Sequence, residues 1–162
     1  MAEVCHPCES NGVGESETQD ISNINFGSVD APNLVPLSYT IARGDNSFSK
    51  FIRYLFTGTW TDISNMKIFK LSGEYVTGEL IKAAANQAYA TPSQVDTGDS
   101  AIPIVLGSAL AIESAESENH IEYGVSGVSG YTGYVRMQMG TTGASPSGAV
   151  NSKIIRFTYD VV

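Results

Sequence analysis

The sequence predicts an all-β chain, a β-sandwich or jelly-roll of about eight antiparallel strands with an extended N-terminal arm, and three observations predict it. The first is the stretch from Phe51 to Lys70, where Phe51, Tyr54, Phe56, Trp60 and Phe69 stand among β-branched residues around the polar Asp62, Ser64 and Asn65. Large aromatic and β-branched side chains suit a pleated, half-buried surface, and short polar ones close turns against their own backbone. The second is period-two alternation. Val135, Met137 and Met139 fall on one face and Tyr134, Arg136 and Gln138 on the other, and Ile155, Phe157, Tyr159 and Val161 alternate in the same way with Ile154, Arg156, Thr158 and Asp160. The third is composition: charged residues are only 16% of the chain, against about 25% in an average domain, while Gly, Ser and Thr are plentiful between short apolar runs.

Taken in order, residues 1–20 combine Glu, Ser, Asn, Gly and Gln with almost no large apolar side chain, so they read as a flexible acidic arm that cannot repay its own ordering entropy. Residues 21–162 form the sandwich domain. Its first strand is placed at Ile21 to Phe26 and the next at Leu37 to Ile41, with Pro32 and Pro36 in the turn between. Gly44, Asp45 and Asn46 signal a turn. Phe48 to Thr59 is the strongest strand, bent near Gly58, and Met66 to Leu71 is read as the second arm of a hairpin with it.

Gly78 to Tyr89 fits either a helix or a strand, because Glu79, Leu80, Lys82 and the alanines at 83 to 85 favour helix while a lone ten-residue helix is marginal without packing. Strands follow at Ile104 to Leu106 and Leu110 to Ile112. The polar tract Glu113 to Gly130, with Gly-Val-Ser at 124–126 and again at 127–129, reads as an exposed loop. Tyr131 to Met139 is a strand, Gly140 to Ser152 a loop, and the chain closes on the strand from Ile154.

A net charge of −8 disfavours nucleic acid, which needs clustered Lys and Arg to release counterions. Every charged residue before Arg43 is acidic (Glu3, Glu9, Glu15, Glu17, Asp20, Asp30). From Arg43 to Lys82 six basic residues, Arg43, Lys50, Arg53, Lys67, Lys70 and Lys82, meet four acidic ones. That asymmetry lets the acidic arm of one subunit steer onto a neighbour. No run of about 18 apolar residues exists, so no membrane-spanning helix is expected. No charged leader precedes an apolar stretch at the N-terminus, and synthesis in a cytoplasm is the expectation.

Catalytic chemistry finds little support. Cys5-His6-Pro7-Cys8 has the spacing of a redox pair, but the acidic Glu9 follows where a helix N-terminus is needed to lower the thiol pKa. As a zinc site, Cys5, His6 and Cys8 need ligands pooled between subunits, with His120 the only other histidine. Paired carboxylates at Asp96 and Asp99, or Glu116 and Glu118, lie in polar loops and read as solvated. No glycine-rich phosphate loop joins a strand to a helix. The expectation is a protein that is not an enzyme and takes no cofactor. Tyr123, Tyr131 and Tyr134 remain as candidates for recognition, since tyrosine buries much area at low entropic cost.

The order of motifs resembles the head decoration, or cement, proteins of tailed bacteriophages, small auxiliary capsid proteins. The similar parts are Phe48 to Lys70, Tyr89 to Pro92, Ser129 to Met139 and Ile155 to Asp160. The resemblance implies a sandwich or jelly-roll that binds the outside of an assembled shell, with the major capsid protein and further copies of itself as partners, often as a homotrimer. It implies assembly in the host cytoplasm, residence on the virion surface, a terminal arm lying on the shell or a neighbour, and a strand over 78–89. The residues expected at such contacts are Glu3, Glu9, Glu15, Glu17, Asp20, Arg43, Lys50, Tyr131 and Tyr134. The competing reading is a carbohydrate- or receptor-binding module of a phage tail or fibre, because jelly-rolls often host lectin sites.

Overall fold

The computed structural model describes residues 3–126, 128–147 and 151–162. The opening glycine of the second Gly-Val-Ser triplet and the centre of the loop expected over 140–152 therefore lie outside the described residues, as do the first two residues of the expected arm. Nine strands are described: β1 (Val4–Asn11), β2 (Ser16–Gln19), β3 (Lys50–Thr57), β4 (Asp62–Ser72), β5 (Leu80–Asn86), β6 (Leu110–Ala111), β7 (His120–Glu122), β8 (Tyr134–Gly140) and β9 (Ile154–Val161). Five of them make one sheet in the order β2-β1-β3-β8-β5, and the rest are built on β4. Because β6, β7 and β9 pair with overlapping stretches of β4, β9 must occupy one edge of β4 while β6 and β7 share the other. Every pairing is antiparallel, and the chain is a β-sandwich.

Alternation places the core. Ile52, Tyr54 and Phe56 of β3, Ile81 and Ala83 of β5, and Val135, Met137 and Met139 of β8 face Ile63, Met66 and Ile68 of β4 and Ile121 of β7. The Tyr54 ring lies 3.7 Å from that of Phe157 on β9 and within 5° of parallel, so the two sheets are stacked through it. Each fully buried aliphatic side chain here contributes about 1.5–3 kcal/mol, and truncating Ile52, which has no exposed surface, to Ala would cost about 2–5 kcal/mol.

The hairpin expected from Phe51 to Lys70 is corrected: both strands exist, but they lie in different sheets. Gly58, at φ +98°, turns the chain out of β3. Trp60 Nε1 then donates to the Ile121 carbonyl at 3.1 Å, and the Thr61 and Asp62 amides donate to Val162. The turn is a corner that crosses the core, and strand propensity alone carries no information about which partner a strand takes.

The acidic arm over 1–20 is also corrected. β1 pairs with β3 from Val4↔Thr57 to Ser10↔Phe51 and with β2 from Cys8↔Gln19 to Asn11↔Ser16. The segment is ordered by ladder bonds and by charge, Glu9 on the core side and Glu15 and Glu17 on the outer side each meeting a cation of β3.

The strands expected at Ile21 to Phe26 and Leu37 to Ile41 are instead irregular backbone with a 3-10 turn at Pro36–Ser38, where Pro36 starts the turn and Ser38 donates back to Val35. Ile104 to Leu106 likewise runs into a 3-10 turn at Leu106–Ser108. Residues 80–86 are strand, their three alanines paired along β8, and the polar tract 113–130 contains β7.

Candidate functional site

The most densely built polar cluster stands on the outer face of the five-stranded sheet. Arg53 alternates outward on β3, opposite Cys8 of β1, and reaches β2. Its Nε donates to Glu17 Oε2 at 2.6 Å, and Nη2 lies 3.7 Å from Glu15 Oε1. The guanidinium sits 4.0 Å from the Tyr131 ring centroid and 4.9 Å from that of Tyr134. Tyr131 donates its hydroxyl to Glu17 and Tyr134 donates to Glu15. Four of the expected contact residues are thus brought together, spent on one another around a cation that was not among them.

The pKa directions follow. Burial raises the Glu17 carboxyl, but hydrogen bonds from Gln19, Arg53 and Tyr131 outweigh it and hold the group below its ordinary range. Burial lowers Arg53, and the Glu17 hydrogen bond with the surrounding charge more than restores it. Tyr134 is raised by burial and by its bond to Glu15.

A strap over 87–101 covers the rest of this face. Arg136 grips Asp99 through Nε at 2.8 Å and Nη2 at 2.5 Å, Lys82 reaches Asp96 at 2.6 Å, and the buried Gln138 side chain bonds Ser47, Val95 and Thr97. Asp96 and Asp99 therefore each hold a different cation and do not form an acid–base pair. Tyr89, in the same strap, packs edge-on to Phe51 at 5.1 Å.

Glu9 and Lys50, expected at an intermolecular contact, are inside the sandwich with side chains 1% and 0% exposed. Asp20 accepts from His6 Nδ1 at 2.7 Å, and the His6 Nε2 lies 3.0 Å from Thr57 Oγ1. Glu3 is half-buried just before β1. Arg43 is exposed, its described hydrogen bond running to Ser147 at 3.4 Å.

Cys5 and Cys8 project from opposite faces of β1, since Cys5 opposes the inward Phe56 and Cys8 the outward Arg53. Both are free thiols, and no group of three or more His, Cys, Asp or Glu is placed to hold a metal among the described residues. Burial, then the neighbouring Cys8, pushes the Cys5 thiol up to about 12; burial, then Glu17, pushes Cys8 up to about 11. His120 bonds Asp62 at 2.8 Å, which raises it against the opposing effect of burial.

Two apolar features were not found from the sequence. One is a groove of about 1020 Å³ lined by Ile52, Tyr54, Ile81 and Met139 of the five-stranded sheet and by Ile154, Ile155 and Phe157 of β9, under a roof drawn from residues 21–43. No residue of β4, β6 or β7 lines it, so it lies at the β9 flank. The other is the run Ile104, Val105 and Leu106, which are 63%, 56% and 55% exposed. Alternating apolar residues at 21–26 and 37–41 were the signal for the roof, misread as strand because irregular chain over a groove shows the same spacing. Comparison with protein-family models, with curated proteins and with solved structures finds no match for this chain.

Proposed function

We propose that this β-sandwich is a virion structural protein, a decoration or cement protein that binds the outside of an assembled bacteriophage head through the major capsid protein and associates with itself, as a homotrimer, on the capsid surface. The observation that supports adhesion is the contiguous exposure of Ile104, Val105 and Leu106, together with Val35, Leu37 and Tyr39 at 59%, 75% and 41%. Scattered exposed apolar residues are ordinary, but runs of them mark surfaces that another macromolecule covers. The order of motifs from Phe48 onward supports the choice of a phage head as the partner.

The mechanism is mass action. A protein that binds only the assembled lattice lowers the free energy of that lattice by its binding free energy, and many copies multiply the effect. Rigidity helps, because a body whose outer-face charges are already paired loses little side-chain freedom on docking.

The test is addition of the purified protein to undecorated heads. Co-sedimentation at a fixed stoichiometry with a raised head melting temperature is the expected result. Glycan binding without affinity for heads would overturn the reading in favour of a receptor-binding module.

A further inference from the structure

We infer that Asp20, His6 and Thr57 form a hydrolytic triad on the outer face of the five-stranded sheet, with Thr57 as the nucleophile and esters of short carboxylic acids as substrates. The inference adds an activity to the capsid reading and does not rest on it.

The sheet order assembles the three groups. β2, β1 and β3 are neighbours in that order; Asp20 directly follows β2, His6 lies on β1, and Thr57 ends β3. His6 opposes Leu55 while Val4 opposes Thr57, so the His6 and Thr57 side chains share one face as diagonal neighbours. On the other flank the Ile21 amide donates to the Pro7 carbonyl at 3.2 Å, which holds Asp20 beside the imidazole.

The hydrogen bonds run in the order a general base needs. His6 Nδ1 lies 2.7 Å from Asp20 Oδ1, and Nε2 lies 3.0 Å from Thr57 Oγ1. An ionised carboxylate only accepts, so in the neutral ring it fixes the proton on Nδ1 and leaves the Nε2 lone pair facing the hydroxyl. Asp20 is therefore a positioning residue, and His6 and Thr57 are the catalytic ones. Cys8 does not compete: it is fully buried and directs its Sγ to the His6 carbonyl at 3.4 Å, whereas Thr57 is exposed to an incoming substrate. The Gly58 amide follows the nucleophile, a position from which oxyanion donors are drawn, and it donates no hydrogen bond among the described residues.

Thr57 Oγ1 attacks the ester carbonyl carbon while its proton passes to His6 Nε2. The tetrahedral oxyanion collapses, the bond to the alkoxy oxygen breaks, and the leaving alcohol takes the proton from Nε2. Water then attacks the acyl-threonine, giving its proton to Nε2; the bond from Oγ1 to carbon breaks, the acid departs, and Nε2 returns the proton to Oγ1. An alkoxy group leaves more readily than an amide nitrogen. Neither His6 nor Thr57 lines either described cavity, so nothing there aligns a long acyl chain and short-chain esters are the class.

The experiment is hydrolysis of p-nitrophenyl acetate by the full chain, with mass spectrometry of protein quenched in acid during turnover. An initial burst and an acetyl group on Thr57 are expected. Thr57→Val should abolish both and Thr57→Ser should restore them. His6→Gln should slow hydrolysis by about 100-fold. Asp20→Asn should lower kcat with KM unchanged, and Asn tolerates the φ of +56° at that position. These side chains lie on the outer face, so circular dichroism of every variant should match wild type.

Turnover that Thr57→Val leaves intact is catalysis by the imidazole alone and overturns the inference. So does an acetyl group found only on lysine or cysteine, a wild type no faster than buffer, or activity lost in Thr57→Val that Thr57→Ser fails to restore.

Discussion

Lys50 Nζ lies 2.7 Å from Glu9 Oε1 in the interior of the sandwich, and this pair fastens the N-terminal strand to β3 from the core side. The same ammonium donates to the Ala31 carbonyl at 2.7 Å, and Asn11 donates to the same carboxylate oxygen at 2.9 Å. One buried cation thus ties β1, β3 and the segment that roofs the groove. Charge that reads as a sticky arm in the sequence is satisfied within the chain.

Desolvating two charges costs several kcal/mol per ion, repaid only while both partners remain. Lys50→Met alone, or Glu9→Leu alone, should therefore lower the unfolding free energy by about 3–5 kcal/mol. The double substitution should return much of that loss, since an apolar pair leaves no orphaned charge. Urea unfolding of the four proteins, extrapolated linearly, measures the coupling; a double variant as unstable as the sum of the singles would refute the arrangement.

On the outer face, Arg53 should impose a pH signature through Glu17. The carboxyl is held below its ordinary value of 4.5, so its contribution to stability is present above 4.5 and is lost as pH falls through the depressed folded value. Arg53→Gln should narrow the gap to wild type in acid: the difference in melting temperature is constant near neutrality and shrinks below pH 4.5. A gap that widens in acid would contradict the pairing.

Much of the fold was legible. β3, β8 and β9 fall where alternation and aromatic content place them, whereas β5 lay open between helix and strand, and the inward faces of β8 and β9 are the ones their periodicity assigns. Partner choice was not legible, because a strand signal describes one pleated surface and the corner at Gly58 differs from a hairpin turn only in where it aims the chain. β1 was missed because its buried residues are Cys8, Glu9, Ser10 and Asn11, none of which spells a core strand. Of the contact residues, Glu15, Glu17, Tyr131 and Tyr134 do converge, yet the organising Arg53 was invisible without knowing that β2 lies across β1 from β3.

The thiols provide a chemical test of how β1 is held. With folded values of about 12 and 11 against an ordinary 9.0, Cys5 and Cys8 stay protonated at pH 8, and the protonated thiol is the unreactive form. Labelling by a disulfide reagent at pH 8 should be slow in the native protein and fast in denaturant. The linkage runs the other way in base: stability from these groups is complete below 9.0 and lost as pH rises toward the folded values, because the unfolded chain ionises first. Fast native labelling of both cysteines would mean that β1 is not docked.

The corner between the sheets should be the most sensitive irregular segment. Gly58 sits at φ +98°, a region that side chains with a Cβ resist, so Gly58→Ala should cost about 1–2 kcal/mol through the native state. The readout is built in. Trp60, the chain's only tryptophan, lies two residues on, edge-on to Phe56 at 6.2 Å and to Tyr123 at 5.1 Å. Its fluorescence should report the corner, while circular dichroism reports the sheets. If the corner belongs to one cooperative core, both signals shift to the same lower denaturant midpoint in the variant with an unchanged slope. A fluorescence transition that precedes the loss of sheet signal in the wild type would show instead that the two sheets hold together without it.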